Sequence, residues 1–230
     1  MTQNFEEIYE RIQNAKSKAG RTDKIFFTAV SKTRTAEEMR EAEKISWVDY
    51  FGENRVQEAE SKRALYPDSK IQWRLIGHLQ NNKARKAVEI FDCIDSVDSV
   101  ELAERLNRIA VEFNKKIPIL IEVNTSGEES KSGIKPEKFS ELLDVVISQE
   151  NLKLDGLMTV GPLTDDEKKI RKSFADLRNL IENARKSTGF NLPILSMGMS
   201  DDFELAILEG STMIRIGTLL FGARFYPNKN

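Results

Sequence analysis

Short apolar runs alternate with longer stretches of helical period along almost the whole chain. A short apolar run between turn signals is typical of a buried strand, whereas apolar residues that recur every three or four positions indicate an amphipathic helix. Eight strand-like runs are predicted on this basis, in the order IFFTAV, WVDYF, WRLIG, DCID, IPILIEV, LDGLMTV, PILS and TMIRIG.

A predicted helix separates each strand from the next. An amphipathic helix from about Phe5 to Ala19 precedes the first strand, and Thr35 with Glu38 forms a capping box at the start of the first connecting helix. The seven connecting stretches are TAEEMREAEKI, NRVQEAESKRAL, NNKARKAVEI, SVELAERLNRIAVEF, PEKFSELLDVVISQ, DEKKIRKSFADLRNLIENARK and DDFELAILEG. The pattern predicts an α/β fold, namely a single (β/α)8 TIM-type barrel with an extra N-terminal helix.

A doubly wound open sheet is the alternative architecture for the same alternation of elements. That fold requires a glycine-rich phosphate-binding turn after its first strand. The corresponding turn here is SKTRT, which contains no glycine. Because no linker or low-complexity tract divides the chain, residues 1–230 are expected to form one domain.

Composition excludes several classes of partner. The chain has 35 Lys+Arg and 37 Asp+Glu, so its formal net charge of −2 provides no basic field for nucleic acid or an anionic membrane. Its apolar runs are far shorter than the roughly 20 residues that span a bilayer, and residues 1–20 lack an apolar signal segment. The single cysteine, Cys93, excludes an internal disulfide framework. We therefore expect a soluble cytoplasmic monomer that binds a small molecule.

The loops after the seventh and eighth predicted strands, SMGMSDD and GTLLFG, carry small and hydroxyl-bearing residues. In TIM barrels these two loops commonly bind phosphate at the C-terminal face of the barrel. Hydroxyl groups, and backbone N–H groups made accessible by glycine, can donate hydrogen bonds to an anion. The predicted phosphate ligands are Ser196, Gly198, Ser200, Gly217 and Thr218.

These loops also have a simpler interpretation. They can be plain turns in which Ser200 caps the next helix. In addition, Asp201 and Asp202 would repel a phosphate group unless their side chains point away from it.

A lysine stands at the end of the first predicted strand, in FFTAVSKTRT. Lys32 is therefore expected on the same face of the barrel as the two phosphate loops. Partial burial disfavours the charged ammonium and lowers the pKa of a lysine, which makes its amine a nucleophile for aldehydes. The amine and the phosphate loops together indicate a phosphorylated carbonyl compound, although a solvated loop lysine is the alternative.

Three further polar residues are expected near this face: Asn54 in FGENRVQE, His78 in IGHLQNNK and Arg215 in the last strand. Asn54 is expected either to hydrogen-bond near the ligand or to cap a helix. His78 is the only histidine and is expected to be structural. Arg215 lies two residues before Gly217, so it either faces the ligand or forms a structural ion pair.

Eight motifs follow one another between Phe26 and Arg224: AVSKT, FGENRVQE, IGHLQNNK, DSVDS, EVNTSGEESKSG, GLMTVGP, LSMGMSDDFELAI and GSTMIRIGTLLFGAR. They resemble the motifs of the pyridoxal phosphate homeostasis protein family, which is similar to the N-terminal barrel of bacterial alanine racemase. The resemblance implies that Lys32 holds pyridoxal phosphate (PLP) as a Schiff base and that the two loops hold its phosphate. It also implies a protein of PLP homeostasis that buffers PLP or delivers it to apo PLP-dependent enzymes.

A PLP-dependent amino acid racemase or decarboxylase is the alternative function. Arg215 would face the pyridine nitrogen of PLP, and a guanidinium there disfavours the second positive charge that a strong electron sink requires. No second acid or base is recognisable opposite Lys32, and the chain is expected to lack the C-terminal domain of the racemases. We therefore expect a carrier and not an enzyme, with no catalytic residue and no metal site. The role of Lys131, in the loop after the fifth strand, stays open between transient PLP binding and a solvated loop.

Overall fold

Eight parallel strands close into a barrel in the computed structural model of the chain, which describes residues 2–223. Each strand pairs with the next along the chain, and the last pairs with the first, where Thr28 lies beside Arg215. The strands are β1 (Phe26–Val30), β2 (Tyr50–Glu53), β3 (Gln72–Leu75), β4 (Cys93–Val97), β5 (Ile117–Glu122), β6 (Leu152–Met158), β7 (Ile194–Ser196) and β8 (Met213–Ile216).

Helices cover the outside of this barrel. They are α1 (Thr2–Lys18), α2 (Ala36–Glu43), α3 (Val56–Leu65), α4 (Ala84–Ile90), α5 (Val100–Glu112), α6 (Phe139–Ser148), α7 (Glu167–Thr188), α8 (Phe203–Leu208) and α9 (Thr218–Phe221). Short 3-10 turns, Asn81–Lys83 and Pro136–Lys138, lead into α4 and α6. The predicted TIM-type barrel with its N-terminal helix is confirmed, and so is the capping box of Thr35 and Glu38 on α2.

One strand boundary was predicted wrongly, and one short helix was missed. The second strand was expected to start at Trp47, but β2 starts at Tyr50 because a turn joins the N–H of Val48 to the carbonyl of Ile45. Trp47 is instead 38% exposed and packs its ring on that of Tyr9 in α1. The short helix α9, directly after the eighth strand, was not predicted.

The interior of the barrel has an apolar floor. Leu120, Met158, Ile194 and Met213 form a buried cluster there, with Phe26 and Tyr50 packed against it. Four of these residues stand at the start of their strands, toward the end of the barrel opposite the predicted site: Phe26, Tyr50, Ile194 and Met213. Leu120 and Met158 lie later in β5 and β6 and complete the cluster. Within residues 2–223, no helix is both long and apolar enough to cross a bilayer.

A buried ion pair lies against this floor. The guanidinium of Arg74 donates from Nε and Nη2 to the two carboxylate oxygens of Asp95, both at 2.8 Å, and lies over the ring of Tyr50. The thiol of Cys93 donates to the same carboxylate at 3.1 Å. Cys93 is thus a small buried residue of the barrel interior.

Candidate functional site

A cavity of about 180 Å³ opens where the C-terminal ends of β1 and β8 meet the loop after β7. Five of the eight predicted binding residues line it: Lys32, Ser200, Arg215, Gly217 and Thr218. The closed strand order explains this convergence, because β8 pairs with β1 and so brings residues far apart in sequence to one edge.

Lys32 follows β1 in a tight turn. Ser31 is fully buried and its N–H donates to the carbonyl of Gly52, while Arg34 donates back to the Ser31 carbonyl. Thr33 has a φ of 65°, which is uncommon for a residue with a side chain. Lys32 itself is partly buried. It stands between the buried Ser31 and Thr33, whose backbone conformation has to be held by surrounding residues.

Arg215 is buried, at 4% exposure, and forms one wall of the cavity. Its guanidinium donates to the hydroxyl of Ser196 and to the carbonyl of Thr159, each at 2.8 Å. Among the described residues no carboxylate lies within ion-pair distance of it, so the alternative of a structural ion pair is not supported. Burial lowers the pKa of Arg215, and the more distant carboxylates of Asp95, Asp202 and Glu122 offset this only in part.

Ser196 and Gly198 lie behind Arg215 and not on the cavity wall. The Ser196 hydroxyl accepts from Arg215, and the carbonyl of Gly198 accepts the Arg215 backbone N–H at 3.0 Å. Gly198 has a φ of 97°, and a Cβ there would stand 2.6 Å from the Cβ of Ala206. Glycine is thus required for this loop to approach α8, and both residues support Arg215.

The loop after β7 presents Ser200 to the cavity without using it as a helix cap. The N-cap of α8 is Asp202, so the alternative role of Ser200 as a cap was wrong. The buried carboxylate of Asp202 accepts the N–H of Met199 at 2.6 Å and is thereby engaged within its own loop. Asp201 is exposed and lines the cavity beside Ser200, and it is the one acidic group there among the residues that the structure describes.

Asn54 lies directly after β2 and does not line the cavity. The N-cap of α3 is Arg55, which excludes the helix-cap role expected as an alternative for Asn54. Its side-chain oxygen is buried and has no hydrogen-bond partner within the described range 2–223. An unsatisfied buried acceptor costs about 1 to 3 kcal/mol, so this oxygen is suited to a donor from a ligand.

Sequence reasoning missed Arg34 as part of this cavity. Its guanidinium pairs with Glu38 at 3.3 Å, donates to the carbonyl of Gly222 and lies over the ring of Phe221. The signal was present in SKTRT, where a second cation follows Lys32 by two positions. A cation here adds to the positive potential around the predicted phosphate loops.

Glu122, at the end of β5, is a second group that the sequence did not reveal. It is buried, and one of its carboxylate oxygens finds no hydrogen-bond partner in the part of the chain that the structure describes. Its pKa is raised to about 7, chiefly by burial, with the charges of Asp98 and Asp95 adding to the rise and Arg215 opposing it. A buried carboxyl that titrates near neutrality therefore stands inside the barrel, within the electrostatic reach of Arg215.

His78 and Lys131 lie away from the cavity. His78 is exposed, with Nδ1 at 3.2 Å from Asp98. Lys131 donates to the carbonyl of Gly161, forms an ion pair with Glu128 at 3.2 Å and lines a neighbouring pocket. In the part of the chain from 2 to 223, three or more His, Cys, Asp or Glu side chains nowhere form a group that could hold a metal ion.

The cavity thus combines a primary amine, two hydroxyls, a glycine backbone and two guanidiniums with the solvent-exposed carboxylate of Asp201. Hydroxyl and backbone donors next to arginines suit a phosphate group, and a lysine amine suits an aldehyde. The residues present therefore fit a phosphorylated aldehyde.

Comparison with known proteins gives the same direction. The chain matches the family model of the alanine racemase N-terminal domain over residues 4–225. The pyridoxal phosphate homeostasis proteins of Aquifex aeolicus and Vibrio alginolyticus are each 40% identical to it, covering 95% and 97% of this chain and 96% and 97% of those proteins.

Solved structures agree with these relatives. The structure of PipY from Synechococcus elongatus with PLP bound has a TM-score of 0.81 and 38% identity, and the match covers 93% of this chain and 99% of that one. Alanine racemase from Clostridium difficile has a TM-score of 0.72 at 19% identity and is covered over only 56% of its length. The likeness to the racemase therefore concerns the fold alone.

Proposed function

This chain belongs to the pyridoxal phosphate homeostasis protein family, and from that membership we propose that it binds PLP covalently through Lys32 and buffers or delivers it. The observation that carries the proposal is the convergence of Lys32 with Ser200, Gly217 and Thr218 on one cavity. PLP supplies an aldehyde that condenses with a lysine amine as water leaves.

The side chains of the cavity divide this task. Ser200 and Thr218 donate hydroxyl hydrogen bonds to the phosphate, and Gly217 lets the backbone approach it. A Cβ at position 217 would stand 3.3 Å from Val30, so a larger residue would crowd the wall next to the lysine. Arg34 contributes positive charge to the same wall. Ser196 and Gly198 act by holding Arg215 through hydrogen bonds. The side-chain oxygen of Asn54, directly after β2, is available to accept a hydrogen bond from the ligand.

Arg215 is proposed to face the pyridine nitrogen of PLP. A guanidinium can donate a hydrogen bond to that nitrogen but cannot accept its proton, and it disfavours a second positive charge nearby. This property weakens the pyridine ring as an electron sink, and the turnover assay described below decides between a carrier and a racemase or decarboxylase. Within residues 2–223, none of the tyrosines lines the cavity, and Tyr226 lies outside the described residues.

The decisive experiment is reduction of the PLP-loaded protein with borohydride, followed by peptide mass spectrometry. The adduct is expected on the peptide that contains Lys32, and Lys32→Ala should abolish it. Lys131→Ala is the matched control, because this lysine lines the neighbouring pocket and should leave the adduct intact. An adduct found on another lysine only would overturn the assignment.

A second assay separates carrier from enzyme. The loaded protein is incubated with L- and D-amino acids to follow chirality and carbon dioxide, and separately with an apo PLP-dependent enzyme to follow recovery of its activity. Recovery without turnover supports the carrier, whereas sustained turnover that Lys32→Ala abolishes favours the enzyme. The recipient apoenzymes, a cytoplasmic location and a monomeric state stay predictions.

A further inference from the structure

Three charged side chains from β2 and α3 surround the turn that carries Lys32. Glu53 ends β2, and Glu58 and Lys62 lie one helical turn apart on α3. The Lys62 ammonium contacts a carboxylate oxygen of each glutamate at 2.7 Å. We call Glu53, Glu58 and Lys62 the turn clamp.

The turn clamp contacts the residues on both sides of Lys32. Before it, the carbonyl of Ser31 accepts from Lys62 at 2.6 Å, and the Ser31 hydroxyl donates to Glu53 at 2.6 Å. After it, the backbone N–H of Thr33 donates to Glu58. The segment from Ser31 to Thr33 is therefore fixed at both ends by side chains from a different strand and helix.

Stability alone is a poor explanation for this arrangement. Lys62 is 6% exposed and Glu53 is 0% exposed, and burial raises the pKa of Glu53 although Lys62 lowers it in part. Taking charges out of water is costly, and well-packed apolar residues often stabilise a fold as well as a buried ion pair does. Buried charged groups that hydrogen-bond to a single turn are better suited to fixing the backbone conformation of that turn.

The geometry that needs fixing is that of Thr33. Its φ of 65° is disfavoured for a residue with a side chain and persists only where the surroundings hold it. The bond from its N–H to Glu58 provides that restraint directly after Lys32. Releasing it would let the turn relax and carry the lysine away from the cavity wall.

We infer that the turn clamp positions Lys32, so that its amine meets a ligand aldehyde with little loss of backbone freedom. This inference rests on the proposed covalent binding of PLP by Lys32. A preorganised group binds more tightly because its ordering is already complete before the ligand arrives. Glu53, Glu58 and Lys62 are thus positioning residues and do not themselves touch the ligand.

The test compares two ligands on Lys62→Met and Glu58→Gln. PLP can react with Lys32, whereas deoxypyridoxine phosphate carries the same phosphate and ring without an aldehyde. Both variants should bind PLP about ten- to a hundredfold more weakly, the range of hydrogen bonds to charged groups, and bind deoxypyridoxine phosphate as the unmodified protein does. Lys62→Arg keeps the charge and should restore part of the PLP affinity. Equal weakening of both ligands would indicate general damage to the site and overturn the inference.

Lys86→Met is the matched control. Lys86, on α4, also contacts two carboxylates, Glu60 and Glu89, each at 3.0 Å, but 39% of its side chain is accessible to solvent. Its replacement should leave the affinity for PLP unchanged. If Lys86→Met weakens PLP binding as much as Lys62→Met does, the effect is not specific to the turn clamp.

A measurement on the ligand-free protein separates this inference from the proposed function. Amide hydrogen exchange of the peptide containing Ser31 and Thr33 should be at least about tenfold faster in both variants. Glu58→Gln removes the charge from the acceptor of the Thr33 N–H, and Lys62→Met removes the donor to the Ser31 carbonyl. If the unmodified protein forms no PLP adduct at Lys32, the proposed function fails while exchange still reports the clamp. Unchanged exchange in both variants contradicts the clamp whether or not PLP binds. Glu58 is only partly buried, so Glu58→Gln provides a folded variant even if Lys62→Met does not fold.

Discussion

Two buried arginines inside the barrel have the same exposure, 4%, and opposite surroundings. Arg74 lies against the apolar floor and meets Asp95 through two hydrogen bonds. Arg215 lines the cavity and, among residues 2–223, its guanidinium donates to neutral groups only, Ser196 and the carbonyl of Thr159. Arg74 therefore has its counterion within the fold, whereas Arg215 has a buried charge with no carboxylate of the described residues in contact.

The pKa directions follow this difference. Burial by itself lowers the pKa of both guanidiniums, but the Asp95 carboxylate outweighs it at Arg74, whose pKa is raised. At Arg215 burial prevails and the pKa is lowered. An unpaired buried cation is costly for folding alone, so Arg215 is the arginine that a ligand can be expected to use.

The largest expected effect concerns the paired arginine. Asp95→Asn leaves the buried Arg74 without its counterion and should lower the free energy of unfolding by about 3 to 5 kcal/mol. Denaturant unfolding measures this loss. The double variant Arg74→Met with Asp95→Leu should recover most of it, because both charges are then removed together. A loss below about 1 kcal/mol in Asp95→Asn would show that the pair is not what holds this end of the barrel.

A smaller effect, confined to binding, is expected at the phosphate loops. Ser200→Ala and Thr218→Val each remove one hydroxyl donor, and a hydrogen bond to a charged group is worth about 1.5 to 3 kcal/mol, or about ten- to a hundredfold in affinity. Rates of PLP release measure the change. Ser187→Ala, near the end of α7, is the control and should release PLP at the original rate. Unchanged release in both loop variants would place the phosphate elsewhere.

Much of the fold was accessible from the sequence, because parallel strands buried on both faces are read as apolar runs. The errors fell where tertiary contacts decide a boundary. β2 begins later than predicted because a turn from Ile45 to Val48 precedes it. Asp49 then joins the end of this turn to β1 by accepting the N–H of Phe27.

Only part of the site could be predicted from the sequence. Strand order alone brings Lys32 and Thr218 to one edge once a barrel is assumed. The hydrogen bond from Lys62 to the Ser31 carbonyl could not be predicted from the sequence. Periodicity places Lys62 on a helix but does not show which carbonyl its ammonium reaches. The same holds for Ser196, whose bond to Arg215 depends on side-chain direction across two strands.

Replacing the unpaired arginine sharpens the comparison. Arg215→Met should lower the free energy of unfolding of the ligand-free protein by about 1 to 3 kcal/mol, because Ser196 and the Thr159 carbonyl lose a donor but no carboxylate loses a contacting partner. PLP affinity should fall at the same time. Unfolding with and without PLP measures both quantities. If Arg215→Met destabilises the ligand-free protein as much as Asp95→Asn does, the two arginines are alike and the distinction is wrong.

The last expected effect is a pH dependence that arises from Glu122. Its pKa of about 7 in the folded protein lies above the ordinary value of about 4.3, chiefly because of burial, with Asp98 and Asp95 adding to the rise and Arg215 opposing it. Between these two pH values the folded state binds more protons than the unfolded state. Stability is therefore lost as pH rises through this window, by at most about 1.4 kcal/mol per pH unit.

Glu122→Gln should flatten this part of the stability profile, as measured by denaturant unfolding of the ligand-free protein at several pH values. Glu104→Gln, on the exposed side of α5, is the matched control and should keep the original slope. A slope that survives in Glu122→Gln would assign it to other groups. In Arg215→Met the window should extend to higher pH, because removing that guanidinium takes away the charge that favours ionised Glu122. That result would show that Glu122 and Arg215 interact electrostatically across the barrel, without the direct contact that Arg74 and Asp95 make.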